Sequence, residues 1–227
     1  MIKFAQTADR IGATTKKLEK TRLLAEYFAT IPREEAAAAA AFFSGRPFPV
    51  WEETTLQVGG RLLWNIVEEL SGKDGQALTA AYRKHGDLGE VAEAVLPDDH
   101  DPRSGERSRP PTSVQQLFRE IAAARGPAAK GTLVRKLLGE VNPLVAKYIV
   151  KIMTGDLRIG LKESLVEEAV AKAFSATLPQ IQRANMLLGD IGETLRLAAE
   201  DRLDEAKMRL FHPIGFMLAS PAESAED

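Results

Sequence analysis

Residues 142–174 read NPLVAKYIVKIMTGDLRIGLKESLVEEAVAKAF, and two periodic runs around a glycine-rich joint decide the fold class. Leu144, Val145, Tyr148, Ile149 and Ile152 recur three and four residues apart, the spacing that lines one face of an α-helix. The run after Lys162 is amphipathic in the same sense. Gly155 and Gly160 punctuate the joint, and in the plain reading they end one helix and begin the next, leaving Arg158 and Lys162 in solvent. The stretch supports a second reading. A helix start offers unpaired N–H groups and the positive end of the helix dipole, so a glycine-led start beside two cations suits an anion.

Helical spacing recurs along the chain, in Leu24, Tyr27, Phe28 and Ile31, in Leu62, Leu63, Ile66, Val67 and Leu70, and in Leu133, Val134, Leu137, Leu138 and Val141. No run alternates as a strand does. The pattern predicts an all-α protein of roughly ten to twelve helices. With 227 residues and 44% hydrophobic content the chain can bury a substantial core. The alanine run at 36–41 favours helix rather than a membrane span, because no stretch approaches the ~18 consecutive apolar residues that spanning requires. The start, MIKFAQ, lacks a signal-peptide core, so a cytoplasmic protein without membrane contact is expected. The absence of cysteine excludes disulfides, a thiol nucleophile and cysteine-ligated zinc, and His85, His100 and His212 are too scattered to suggest a metal site. Residues 126–132, GPAAKGT, do not have the order of a Walker phosphate loop.

A net charge of −2 argues against a polyanion partner until its distribution is examined. Between positions 125 and 162 eight basic residues face only Glu140 and Asp156. Near the N-terminus Lys3, Arg10, Lys16, Lys17, Lys20 and Arg22 outnumber Asp9 and Glu19. Two basic zones on an acidic body suggest local anion-binding surfaces.

The proline-rich, aperiodic residues 97–112 read as a flexible connector between two halves, about 1–96 and 113–210. The halves resemble each other. Phe4, Lys16, Leu23 and Leu24 are answered 114 residues later by Phe118, Lys130, Leu137 and Leu138. Phe43-Ser44-Gly45-Arg46 is answered 110 residues later by Met153-Thr154-Gly155-Asp156. Leu56-Gln57-Val58-Gly59-Gly60-Arg61 is answered 101 residues later by Leu157-Arg158-Ile159-Gly160-Leu161-Lys162. A duplicated unit predicts two pseudo-twofold-related halves with two equivalent helix starts.

Gly59-Gly60-Arg61 and Gly160-Leu161-Lys162 would each let an anion approach backbone beside a cation. Lys147 and Lys151, four apart, share a helix face. Lys130 follows a small-residue helix start, and Lys16 and Lys17 belong to the N-terminal basic zone. A regularly spaced polyanion such as duplex DNA suits repeated sites of this kind. Side-chain combinations for base reading are not evident, so contacts to backbone and minor groove with low sequence specificity are expected.

The segments FAQTADRIGATTKKLEKTRLLAEYF (4–28) and YIVKIMTGDLRIGLKESLVEEAVAKAF (148–174) resemble the N-terminal DNA-binding domain of ATP-dependent DNA ligases. Phe43-Ser44-Gly45-Arg46 with Val58-Gly59, and Lys84-His85-Gly86-Asp87-Leu88-Gly89, fit the same family pattern in order. The resemblance covers nearly the whole chain and is most specific at Gly155-Asp156-Leu157-Arg158-Ile159-Gly160-Leu161. It implies an all-helical domain, residues 1–210, that binds the minor groove on both sides of a nick in double-stranded DNA. Leu157, Arg158, Ile159, Gly160, Leu161 and Lys162 would be the DNA-contacting loop and helix start, with Gly155 joining them and Gly59, Gly60 and Arg61 as their counterpart.

In that family a lysine in a KxDG motif takes AMP from ATP, with Mg²⁺, before the nick is sealed. This sequence has no KxDG; Lys73-Asp74-Gly75 lacks the intervening residue and reads as a turn. The resemblance therefore implies no cofactor and no ligase activity in this chain, with ATP and Mg²⁺ belonging to a full-length ligase. It also implies a monomer whose partners are nicked DNA and the ligase's own adenylation and OB-fold domains, reached through a linker at 211–227. The alternative from another class is a helical scaffold that binds protein in a groove between its halves.

Overall fold

Helical periodicity becomes twelve α-helices in the computed structural model, which describes residues 1–52, 54–98 and 109–214. They are α1 (Ile2–Gly12), α2 (Lys17–Thr30), α3 (Arg33–Phe43), α4 (Gly60–Ser71), α5 (Gly75–His85), α6 (Leu88–Val95), α7 (Pro111–Ala123), α8 (Gly126–Gly139), α9 (Pro143–Thr154), α10 (Glu163–Ala173), α11 (Leu178–Leu188) and α12 (Ile191–Ala199). Among the described residues there is no strand. Helix starts follow local chemistry. Asp74, Asp87, Asn142 and Asp190 each accept a hydrogen bond from the backbone N–H three residues on, at 2.8–3.0 Å. Pro111, Pro127, Pro143 and Pro179 occupy first turns, where a missing N–H costs nothing. Lys73-Asp74-Gly75 is thus the capped start of α5. Most of the connector expected at 97–112, and the linker beyond residue 214, lie outside the described residues; α7 begins inside that expected connector, at Pro111.

Six helices repeat as six, but the burial pattern moves the register. Through α1–α3 the separation is 110 residues throughout: Phe4 with Val114, Ala8 with Phe118 and Ile11 with Ile121 are all buried, whereas the expected 114 would pair Ile11 with exposed Arg125. The error is one helical turn, which keeps a residue on its face and so hides from pattern matching. Through α4–α6 the separation is 103, pairing Leu63, Ile66, Val67 and Leu78 with Val166, Ala169, Val170 and Ile181. The same separation relates Gly86-Asp87-Leu88-Gly89-Glu90 to Gly189-Asp190-Ile191-Gly192-Glu193, the clearest repeat in the chain.

The halves are not side by side. α4 packs on α8 and α6 on α9, while α10 packs on α2 and α12 on α3, so helices from the second part of each half lie on helices from the first part of the other. Glycine makes the closest of these approaches possible. A Cβ on Gly89 would lie 2.7 Å from the Lys147 carbonyl oxygen in α9, and one on Gly192 would lie 2.8 Å from the Ala37 carbonyl oxygen in α3. Lys147 and Ala37 are themselves 110 apart, as the exchange symmetry requires. Residues 36–41, all alanine, are buried on every side of α3, because small side chains let neighbours approach from several directions. Phe4 joins the centre, its ring 4.3 Å from that of Phe43 and 6.2 Å from that of Tyr148, and Phe42 meets Phe118 at 5.7 Å. Burying each such ring contributes about 1.5–3 kcal/mol.

Candidate nucleic-acid interface

Two loops precede α4 and α10, and buried lysines hold both in place. Lys130 in α8 donates to the carbonyl oxygen of Leu56 at 2.7 Å. Lys20 in α2 donates to the carbonyl oxygens of Ile159 and, at 3.2 Å, Gly160. The two lysines are 110 residues apart and 5–6% exposed, so they are one device used twice. Leu56 and Leu157 plug the loops into the core, and the residues after them, Gln57 and Arg158, share a left-handed conformation with φ near +50°. Gly45 and Gly155, also 110 apart, approach each other so closely that a Cβ on Gly45 would lie 3.3 Å from the Gly155 carbonyl oxygen. Repeat mates that touch lie at the pseudo-twofold axis. The α2 start with the 157–162 loop therefore falls on one side of it, and the α8 start with the 56–61 loop on the other.

The helix starts themselves differ. Gly59 is the N-cap of α4, Gly60 its first residue and Arg61 exposed; the first turn has no acidic residue and no capping side chain, and a Cβ on either glycine would meet nothing within 4 Å. This end is open backbone. In the other half Gly160 is not the helix start: Gly160 and Leu161 are two extra residues ahead of the true N-cap, exposed Lys162. Leu161 is half-buried, and Glu163 places a carboxylate in the first turn of α10, 3.9 Å from Arg46. Lys16 and Lys17 are exposed at the start of α2.

Lys130, Lys147 and Lys151, expected at the DNA surface, are instead buried and paired. Lys147 Nζ lies 3.0 Å from Asp9, 3.0 Å from Glu90 and 2.9 Å from Glu93, and Lys151 Nζ lies 2.8 Å from Glu90 and 3.7 Å from Asp87. Tyr148 also donates to Asp9, at 3.0 Å. Burial alone would push the Asp9 and Glu90 carboxyls up, but the lysine hydrogen bonds and charges outweigh it and hold both below the ordinary carboxylate range. For Lys147, burial is likewise overcome by its carboxylate partners, and its pKa rises. The carboxylates around Lys147 and Lys151 stand between 54 and 138 positions away in the chain, which is why a local charge count places these lysines on an anion-binding surface.

Arg158 keeps its place at the surface with its side chain 55% exposed. Its backbone N–H donates to Asp156 at 2.8 Å, Nη1 donates to the Gly86 carbonyl oxygen at 2.8 Å, and Nε lies 3.4 Å from Asp87 and 3.7 Å from Asp156. Asp87 and Gly86 are residues whose part in this surface sequence reasoning missed, although the repeated Gly-Asp-x-Gly-Glu string marks them. The exposed set is therefore Lys16, Lys17, Gly59, Gly60, Arg61, Gly155, Arg158, Gly160 and Lys162, whereas Leu157 and Ile159 are buried beneath it. Open amides and cations with few acidic neighbours in the first half can hold anions on the protein surface.

The family model described as "DNA ligase N terminus" matches residues 1–171. Over 224 residues, 99% of this chain and 38% of the relative, the chain is 52% identical to a probable DNA ligase of Koribacter versatilis. It is 39% identical to a probable DNA ligase of Opitutus terrae, covering 99% of this chain and 25% of the relative. With a DNA ligase of Archaeoglobus fulgidus the identity is 30%, over 98% of this chain and 41% of the relative. The chain thus spans between a quarter and about two fifths of the length of these curated relatives.

Proposed function

The chain belongs to the family of DNA ligase N-terminal domains, and from that premise we propose that it binds nicked duplex DNA through phosphate and minor-groove contacts on both sides of the nick. The carrying observation is the pair of exposed, repeat-related loops on either side of the Gly45–Gly155 contact, one with the open α4 start and Arg61, the other with Arg158 and Lys162. Amide groups and cations disposed about a twofold axis match the local twofold symmetry of a duplex backbone. The sites differ in chemistry: the α4 side offers bare backbone, the α10 side offers side-chain charge around a helix start already carrying Glu163.

In this proposal the domain supplies grip rather than chemistry. The only string close to the adenylating motif has Asp74 committed to capping α5, and Lys147 and Lys151 are locked to carboxylates, so these residues do not suit an adenylated lysine. ATP and Mg²⁺ are accordingly assigned to catalytic domains elsewhere in a longer, cytoplasmic, monomeric ligase. Met208, Leu210, Phe211 and Ile214 expose apolar side chains in the last described stretch, which supports contact with those domains and is the one observation favouring the protein-docking alternative. Hydroxyl-radical footprinting on a duplex with a single central nick tests the reading. Protection on both sides of the nick is expected, and protection at the duplex ends alone, or none, overturns it.

A further inference from the structure

We infer that Asp87 is a positioning residue for Arg158: its carboxylate caps α6 with one oxygen and orients the Arg158 guanidinium toward DNA with the other. The inference rests on the proposed role of Arg158 as a DNA contact and extends it to a residue that need not touch DNA. Asp87 Oδ1 accepts from the Glu90 backbone N–H at 2.9 Å and lies 3.7 Å from the buried Lys151 ammonium. Oδ2 faces Arg158 Nε at 3.4 Å, and the Gly86 carbonyl oxygen takes Nη1 at 2.8 Å. The Asp87 side chain is only 10% exposed, so the anchor is fixed while the guanidinium is not buried. Nε and Nη1 thus each have a partner, while Nη2 has none among the described residues and remains available to a phosphate. Behind Asp87, the Lys151–Glu90–Lys147–Asp9 chain of ion pairs ties α6 to α9 and α1. The lysines read from sequence as DNA contacts thus act at one remove.

The duplication supplies its own control. Asp190, the mate of Asp87, caps α12 through Glu193 at 3.0 Å and has no ion-pair partner among the described residues. The positions answering to Lys151 and Arg158 are Ala41 and Gln57. Capping is therefore common to both halves and positioning belongs to one. Holding Arg158 also has a sign that simple electrostatics lacks. A carboxylate near DNA repels phosphate, so its removal should tighten binding unless it is orienting a cation.

Asp87→Asn separates the two roles, since the amide oxygen can keep the cap while the NH₂ group turns a donor toward the Nε donor. Binding of the 227-residue protein to nicked duplex is measured by fluorescence anisotropy, with thermal denaturation alongside, for Asp87→Asn, Asp190→Asn, Arg158→Ala and the double variant Asp87→Asn/Arg158→Ala. Ordering one long side chain accounts for an affinity loss of about 3- to 10-fold in Asp87→Asn. The expected pattern is that loss, no loss in Asp190→Asn, and no further loss when Asp87→Asn is added to Arg158→Ala. Unchanged or tighter binding by Asp87→Asn, with Arg158→Ala weakened, overturns the positioning role alone. Arg158→Ala without effect overturns that role together with the reading of Arg158 as a contact. Should Asp87→Asn not fold, Arg158→Lys keeps the charge and loses the fork. A 3- to 10-fold loss is expected there, and undiminished binding overturns the inference.

Discussion

Gly60→Ala should separate stability from DNA binding. Gly60 is the first residue of α4, its backbone is helical, and a Cβ there would find nothing within 4 Å. The fold has no use for glycine at this point. Replacing it removes conformational freedom from the unfolded chain and stabilises the protein by about 0.4–1 kcal/mol, which for this size raises Tm by roughly 1–4 °C. Binding should move the other way. A methyl group over the open amides of Gly60 and Arg61 keeps a phosphate oxygen from hydrogen-bond distance. Hydrogen bonds to charged groups are worth about 1.5–3 kcal/mol, so a loss of at least roughly tenfold in affinity follows. Gly160 and Gly155 cannot serve for this test, because both have positive φ and a Cβ on Gly160 would lie 2.8 Å from the Lys20 ammonium. Differential scanning calorimetry and anisotropy on nicked duplex provide the two readouts. Raised Tm with unchanged affinity would refute the α4 start as a phosphate site, and lowered Tm would refute the local packing argument.

Gly89→Ala and Gly192→Ala test the exchanged packing: each forces a Cβ to within 3 Å of a backbone carbonyl across the helix contact, and each should cost about 1–3 kcal/mol in urea denaturation, a cost absent if α6 and α12 can move away freely. Asp9→Asn tests the buried lysine network. Because the folded-state pKa of Asp9 is lowered, its contribution is present above its unfolded value of about 4 and lost as pH falls through the lower folded value. Wild type should exceed the variant by on the order of 1 kcal/mol at pH 7, after allowing for the exposed half of the carboxylate, and converge with it near pH 2. A difference independent of pH would count against the ion-pair account.

What the sequence shows and what it hides can be separated on particular residues. Three- and four-residue spacing of Leu144, Tyr148 and Ile152, or of Leu63, Ile66 and Val67, is local, so the helices and the all-α class were readable. The duplication was readable too, but matching Lys16 to Lys130 slipped by one turn, since residues four apart on a helix share a face. Only burial identifies Lys20 as the true mate. Gly160 reads as a helix start because two extra residues, Gly160 itself and Leu161, precede the N-cap Lys162 in one half alone. Lys147 and Lys151 show the larger obstacle. Their partners Asp9 and Glu90 come from α1 and α6, brought to α9 by tertiary packing that no local charge pattern reveals.

The most direct test of DNA binding by this surface is the salt dependence of affinity for nicked duplex, in wild type and in the combined variant Arg61→Ala/Arg158→Ala/Lys162→Ala. If about 4 to 6 phosphates are neutralised, log K for the wild type falls with log salt at a slope of roughly −4 to −5. Removing three contacts should bring the slope of the variant to about −2, with Tm preserved because all three side chains are exposed. Equal slopes for the two proteins, or a wild type that does not bind at low salt, would contradict the assignment.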